Sequence, residues 1–337
     1  MTTPERHRFI DRVKTIEKRM LVVVNPMSKK GSELASRVRS LVRREGMDLE
    51  ETSTDHPDDI GSTVQFWSRR FGGSRVIMVF GGDGAINQVI NNVMLSRSNN
   101  NVVLVPIPAG TANDFCRATG FESVENSLDA MVDFNIRTVD LIKMEIEGSG
   151  RKVKYCSNVF AVGLDGELAN LSQKYKRFGV PGYWYASLKK AAMALFKGVE
   201  TYRVNIKANG FEYTGDVVDA IFSNINRYGR NLLVAPSAEP DDGKIHIAVA
   251  KPMSALKTLV TGLLLLKGQH GRMSTVEMST CESAELDILD DLYAQEDGEV
   301  CFYPRGTKIR LTVEPQALNV LAPSSPSLSV PGTSSTS

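Results

Sequence analysis

Four short segments carry the residue types that could do chemistry. GGDG at Gly81–Gly84 follows an apolar run ending at Phe80 and precedes a helical pattern that begins near Ala85. Glycines at a strand-to-helix turn let backbone N–H groups approach an anion, and a helix N-terminus adds positive potential. An aspartate in such a loop repels a bare phosphate; it becomes useful through a hard cation or by touching a substrate hydroxyl. The same four residues also suit an ordinary tight turn in which Asp83 caps the helix. PAGTANDFCR (Pro108–Arg117) repeats the arrangement one strand later, with Thr111, Asn113 and Asp114 offering polar groups, or a second helix cap. NPMSKKG (Asn25–Gly31) closes the first apolar run, and Ser28, Lys29 and Lys30 could face phosphates or be a solvated helix entry. QEDGEV (Gln295–Val300) has hairpin-turn character, yet its carboxylates could serve as a general base and a metal-linked partner.

The elements that must position these loops alternate. MLVVVNP (Met20–Pro26), Leu49–Thr54, RVIMVF (Arg75–Phe80) and NVVLVPIP (Asn101–Pro108) read as strands, and Ser32–Glu45, Pro57–Phe71, Ala85–Leu95 and Thr111–Ala118 as helices. Such alternation predicts a parallel α/β sheet covered on both faces, and ligands of such sheets bind outside the carboxyl ends of the strands, where three of the loops lie. Past about residue 136 the rhythm changes. Strand-like runs at Thr138–Glu147, Lys152–Val162, Tyr202–Lys207, Asp216–Ser223, Lys244–Ala250, Ala284–Leu289 and Lys308–Val313 predict a β-sandwich or barrel-like second unit. Helical stretches interrupt it near Leu164–Lys176, Tyr183–Lys197 and Met253–Leu266. The organisation expected is a charged leader (1–19), an α/β domain (20–136), a β-sandwich domain (137–321) whose last strand could return to the first, and a disordered Ser/Pro-rich tail (322–337).

Composition removes several classes. With 40 Lys+Arg against 39 Asp+Glu there is no cationic excess to coat a nucleic acid. The charged start lacks the apolar core of a secretory signal, and the most apolar run, Leu259–Leu266, is too short to span a bilayer. Four scattered cysteines without CxxC spacing suggest a reduced, cytoplasmic chain with neither disulfide framework nor zinc site.

GGDG, PAGTANDF, SNVFAVGLDGE, VAPSAEPDDGK and DGE, in this order, resemble the diacylglycerol kinase catalytic-domain superfamily in its compact bacterial YegS/DgkB-like form, with sphingosine and ceramide kinases as more distant relatives. The resemblance runs from about Met20 to Val313. It implies a Rossmann-like/phosphofructokinase-like α/β domain followed by a β-sandwich (the NAD kinase/diacylglycerol kinase-like arrangement), with the active site in the cleft between them. Asn25, Thr54, Gly81, Gly82, Asp83, Gly84, Ala85, Asn87, Gln88, Gly110, Thr111 and Asn113 then fall at nucleotide-contacting positions. Glu299 matches the proton acceptor, with Asp297 beside it and Asp83 the third catalytic carboxylate. Asp242, with the carbonyls of Glu239 and Lys244, matches a structural Mg2+ site. The implied reaction is ATP- and Mg2+-dependent phosphorylation of a hydroxyl on a diacylglycerol-like or sphingoid lipid.

The chain departs from the family pattern where Ala85 replaces the usual Thr after GGDG, Gln88 a usual acidic residue, and Lys29 a frequent glycine. Ala85 and Gln88 motivate another reading, a catalytically weakened nucleotide- or lipid-binding protein of the same fold, and GGDG, which NAD kinases share, leaves a more remote one, an NAD kinase that PAGTANDF and the late DGE disfavour. A lipid substrate also implies peripheral contact with a membrane. Lys174–Lys197 interleaves cations with Tyr175, Phe178, Tyr183, Trp184, Tyr185 and Phe196, which suits an anionic interface or a core helix with snorkelling lysines. No nucleic-acid partner is expected, and a homodimer is compatible with this reading.

Overall fold

The computed structural model describes residues 20–24, 29–44, 49–53, 62, 64 and 75–323, except 125, 128–129, 131–134, 149, 174–197 and 230. Strands β1 (Met20–Val24), β2 (Leu49–Ser53), β3 (Arg75–Gly81) and β4 (Val102–Pro108) pair in parallel in the order β2-β1-β3-β4. Leu21–Val24 of β1, Val76–Phe80 of β3 and every residue of β4 are buried, as a sheet covered on both sides requires. Helices α1 (Lys29–Arg44) and α2 (Asp83–Leu95) pack on this sheet, α2 through Ala85, Ile86, Val89, Ile90, Val93 and Met94. The short helix α3 (Asp114–Ala118) follows β4. The helix expected at Pro57–Phe71 lies outside the described residues apart from two isolated positions.

Two long strands tie this sheet to the rest. β5 (Asn135–Glu147) and the final strand β16 (Lys308–Ala322) run antiparallel along their full lengths. On its other edge β16 meets β13 (Ser283–Ile288) with its first half and β4, in parallel, at Asn319 and Val320. The ladder slips between Glu314 and Leu318, where Gln316 takes φ +49° and its N–H donates to Asp140 Oδ1 at 2.7 Å. Pro315 cannot donate to a ladder, so this bulge is where such a strand can hold it. Beyond the bulge Ala317, Leu318, Val320 and Leu321 enter the core of the parallel sheet.

β13 continues the sheet through β8 (Tyr202–Ala208) to β9 (Phe211–Val217), and β6 (Arg151–Cys156) pairs with β5. A second, antiparallel sheet has the order β12 (Val276–Cys281), β11 (Ile245–Ala250), β10 (Asp219–Ser223), β7 (Val159–Gly163), β14 (Leu292–Glu296), β15 (Glu299–Tyr303). The two sheets enclose a core in which Phe160 stacks on Phe222, ring centroids 5.8 Å apart, and meets the edge of Tyr303. The fold is therefore α/β plus β, with helices α4 (Leu164–Gln173) and α5 (Ala255–Leu265) attached to the second sheet.

Two runs that read as single strands are each two. Lys152–Val162 breaks at Ser157–Asn158, and Asp216–Ser223 breaks at Val218, where the chain leaves the larger sheet for the smaller. The stretch Tyr183–Lys197 lies outside the described residues, and with it the whole cation-and-aromatic segment Lys174–Lys197.

Candidate active site

The loops after β3 and β4 touch. Ala109 N–H donates to Gly81 O at 3.2 Å, and a Cβ added to Gly110 would stand 2.3 Å from Gly82 Cα. Only glycine allows this approach, so Gly82 and Gly110 hold the two loops edge to edge at the carboxyl ends of their strands. Gly82 is the N-cap of α2, and Asp83 and Gly84 form its first turn, so Asp83 is not the capping residue. Asn113 takes the left-handed conformation (φ 55°, ψ 44°) before α3; its Oδ1 accepts from Gly110 N at 2.8 Å and its Nδ2 donates to Gly110 O at 3.1 Å. Asn113 thus braces the loop that carries Gly110 and Thr111. Asn25 and Thr54 lie outside the described residues.

Asp83 Oδ1 accepts from Phe115 N at 2.9 Å. Burial, and then the neighbouring carboxylate of Asp114, push its pKa up to about 6, against smaller lowering by the backbone N–H groups of α3. Asp114 is buried and its Oδ2 accepts from Gly229 N at 2.7 Å. It belongs with Asp83, and its place in the PAGTANDF motif was the available signal, although the motif alone reads equally well as a cap.

Asp297 and Gly298 join β14 to β15 with φ of 48° and 85°, the positive pair that a primed two-residue hairpin needs. The Asp297 side chain turns inward and is buried. Its Oδ1 accepts from Asn158 N (2.8 Å), Val159 N (3.0 Å) and Cys156 Sγ (2.9 Å), and its Oδ2 from Ser157 N (2.7 Å), Ser157 Oγ (2.8 Å) and Asn87 Nδ2. This is the cause of the break between β6 and β7: the chain leaves the ladder there to aim successive N–H groups at one carboxylate. Asn87 and Asn91 of α2 also bond Tyr155 on β6, so α2 is fastened to the sandwich beside the hairpin.

Two residues further on, Glu299 is exposed, and its Oε1 lies 4.0 Å from where a Cβ on Gly84 would stand. A carboxylate from the end of the second sheet therefore hangs over the first turn of α2, next to Asp83. Asn158 Nδ2 reaches 3.5 Å from Asp83 Oδ1, and Asn158 Oδ1 is a buried acceptor for which the described residues supply no donor. A second acidic group lies behind the same loops. Tyr228 donates its hydroxyl to Asp165, whose N–H contacts Asp219 Oδ1 at 3.3 Å; burial raises both carboxyl pKa values, Asp165 to about 6 and Asp219 further. Tyr228 precedes the Gly229 that holds Asp114, so one loop joins both acidic groups.

Ala85 is buried in the core under the parallel sheet, and Gln88 is half-exposed on α2. Asp242, Glu239 and Lys244 meet in a turn: Asp242 accepts from Glu239 N (3.2 Å) and Lys244 N (2.9 Å), and His246 Nε2 lies 2.8 Å from its Oδ2. That turn is satisfied by its own donors, and the adjoining Gly243 N is taken by Asp140. Among the described residues no three His, Cys, Asp or Glu side chains gather as metal ligands, and no helix is long and apolar enough to cross a membrane.

Comparison with known proteins matches the two parts of the fold separately. The diacylglycerol kinase catalytic domain matches residues 19–144, and the YegS C-terminal NAD kinase beta sandwich-like domain matches residues 158–322. The chain belongs to the bacterial YegS/DgkB-like lipid kinase family. It is a kinase, a transferase, of that family. A "Probable lipid kinase YegS-like" of Pseudomonas aeruginosa is 28% identical over 254 residues, covering 74% of this chain and 78% of that one. A diacylglycerol kinase of Mycobacterium tuberculosis is 27% identical over 255 residues with the same coverage. The crystal structure of a diacylglycerol kinase from Bacillus anthracis str. Sterne superposes with a TM-score of 0.63 at 18% identity, covering 90% of this chain and 97% of that one, a likeness of fold.

Proposed function

We propose that this kinase transfers the γ-phosphoryl group of ATP to a hydroxyl of a diacylglycerol-like or sphingoid lipid, with Mg2+, at the cytoplasmic face of a membrane. One observation carries the reading: the exposed carboxylate of Glu299 stands over the glycine turn that opens α2, beside Asp83. The nucleotide phosphates fit the paired loops at Gly82 and Gly110, against backbone N–H groups and the N-terminus of α2. Glu299 accepts the proton of the lipid hydroxyl as its oxygen bonds the γ-phosphorus; the bond from that phosphorus to the β–γ bridging oxygen breaks, and ADP leaves. Positioning and charge stabilisation account for most of such catalysis, which is why so few side chains are needed.

The two carboxylates of the hairpin divide the work. Asp297, surrounded by donors, holds the hairpin and α2 in register and is a positioning residue. Glu299 faces the substrate. The residues present suit Mg2+ at the Asp83 end, because Asp83 and Asp114 repel each other and Asn158 Oδ1 lacks a donor, all relieved by a hydrated cation. Mg2+, when bound, supplies charge neutralisation to the phosphates; Asp83 and Asp114 would hold it with phosphate oxygens and water. A structural Mg2+ at the Asp242 turn would instead have to share a carboxylate already bonded by N–H groups.

Radiolabelled ATP offered with diacylglycerol, sphingoid base, ceramide, NAD and a total lipid extract tests the reading. Label on a lipid supports it. Label on NAD alone, or nucleotide binding without transfer to any acceptor, overturns it.

A further inference from the structure

Helix α5 is built inside out. Residues on a helix advance by about 100° each, so Leu256, Leu259, Val260 and Leu263, with Leu266 at the C-cap, share one stripe about 120° wide. That stripe faces outward: Leu256 is 66% exposed, Leu259 56% and Leu263 57%, and no residue of the helix is buried. The half-buried positions towards the protein include Thr258 and Thr261, with Leu265 against the outer face of the second sheet. An ordinary surface helix carries its leucines inward and its threonines outward. Exposed Met278 extends the apolar surface beyond the helix, lying against Gly271.

Charge on this protrusion has one sign. From Pro252 to Val276 the sequence contains Lys257, Lys267 and Arg272 and no aspartate or glutamate, and all three cations are exposed. Single exposed leucines need no explanation, but a contiguous apolar stripe rimmed by cations does. The pattern is that of a helix lying in the headgroup layer of an anionic bilayer, leucines among the acyl chains and lysines at the phosphates.

The stripe is also tied to the active site. Leu265 O accepts from Leu233 N at 3.1 Å, and Gly268 packs against Leu233 and Pro236, in the loop whose Gly229 holds Asp114 and whose Tyr228 holds Asp165.

We propose that α5 is a membrane-inserting element that seats the kinase on anionic lipid. The choice of a membrane as the occupant rests on the lipid-kinase reading together with the charge of the rim. The full chain is sedimented with phosphatidylcholine vesicles with and without phosphatidylglycerol, as wild type, L259S/L263S and K257E/K267E. Wild type is expected to co-sediment with the anionic vesicles, and each double variant to bind them at least about tenfold more weakly. Both variants should phosphorylate a short-chain, monomerically dissolved diacylglycerol at the wild-type rate while losing activity on the vesicle-embedded lipid. Unchanged vesicle binding by the leucine variant overturns the inference. So does its conversion of a wild-type dimer to monomer, measured by sedimentation velocity, with vesicle binding intact, since a second copy would then cover the stripe. Should no acceptor be phosphorylated while stripe-dependent vesicle binding persists, the kinase substrate is wrong and the membrane element stands.

Discussion

Asn87, in the second turn of α2, donates its side-chain amide to the carboxylate of Asp297, 210 positions later in the β14–β15 turn. This bond closes the distance between the helix that opens with Asp83 and the hairpin that delivers Glu299. The hairpin's two carboxylates should therefore fail in different ways when altered.

Glu299→Gln removes an exposed proton acceptor and should leave the far-ultraviolet circular dichroism spectrum unchanged while lowering kcat on lipid by about 10²-fold or more. Circular dichroism and steady-state kinetics on the same preparation check both halves. Wild-type turnover in the folded variant would remove Glu299 from the mechanism.

Asp297→Asn should instead cost stability. It places an NH2 group among donors that need an acceptor, leaving at least one buried N–H unpaired at a cost of roughly 2–4 kcal/mol. Urea denaturation measures this, and a loss under about 0.5 kcal/mol would contradict the positioning role.

Asp83 makes the protein sensitive to pH in a defined direction. Its folded pKa of about 6 lies above the ordinary 3.8, so folding favours the protonated form. The associated stabilisation is complete below the ordinary value and is lost as the pH rises through about 6. Asp83→Asn should therefore stabilise the apo protein near about pH 8 by roughly 1–2 kcal/mol and change little near about pH 4. Mg2+ should raise the unfolding temperature of wild type near about pH 8 and do so less for Asp83→Asn. Equal Mg2+ responses in the two proteins would place the cation elsewhere.

Gly110→Ala and Gly84→Ala form a paired test of the loop geometry. A methyl at Gly110 meets Gly82 backbone at 2.3 Å and must part the loops, whereas at Gly84 the nearest neighbour is the Glu299 side chain at 4.0 Å. Gly110→Ala should destabilise the protein by about 2 kcal/mol or more and abolish nucleotide binding in calorimetry. Gly84→Ala should fold at least as well as wild type, since alanine is favoured over glycine in a helix by up to about 1 kcal/mol.

Much of this was legible before any coordinates. Short continuous apolar runs ending in glycine loops mark β3 and β4 because those strands are buried on both faces and their loops need close backbone approach. The unread parts depended on distant partners. KVKYCSNVFAV reads as one strand, and only Asp297, about 140 residues away, draws Ser157 and Asn158 out of the ladder. The run Asp216–Ser223 keeps its apolar residues on both sides of Val218, so nothing local marks the change of sheet. In the sequence β16 reads as ending at Val313 because Pro315 breaks the pattern, although the bulge at Gln316 lets it go on to Ala322. Asp165, in the first turn of the helix read at Leu164–Lys176, and Asp219, at the start of β10, are 54 residues apart, so only the fold brings them together with Tyr228.

The route of β16 also governs when the protein can finish folding during its synthesis. The parallel sheet that carries the glycine loops is built from residues 20–108, yet β4 gains its outer neighbour, and the core gains Leu318, Val320 and Leu321, only from β16. A nascent parallel sheet emerging from the ribosome thus waits with an unpaired edge at β4 until β16 has been translated. Such an unpaired edge is a template for pairing with other chains until β16 covers it.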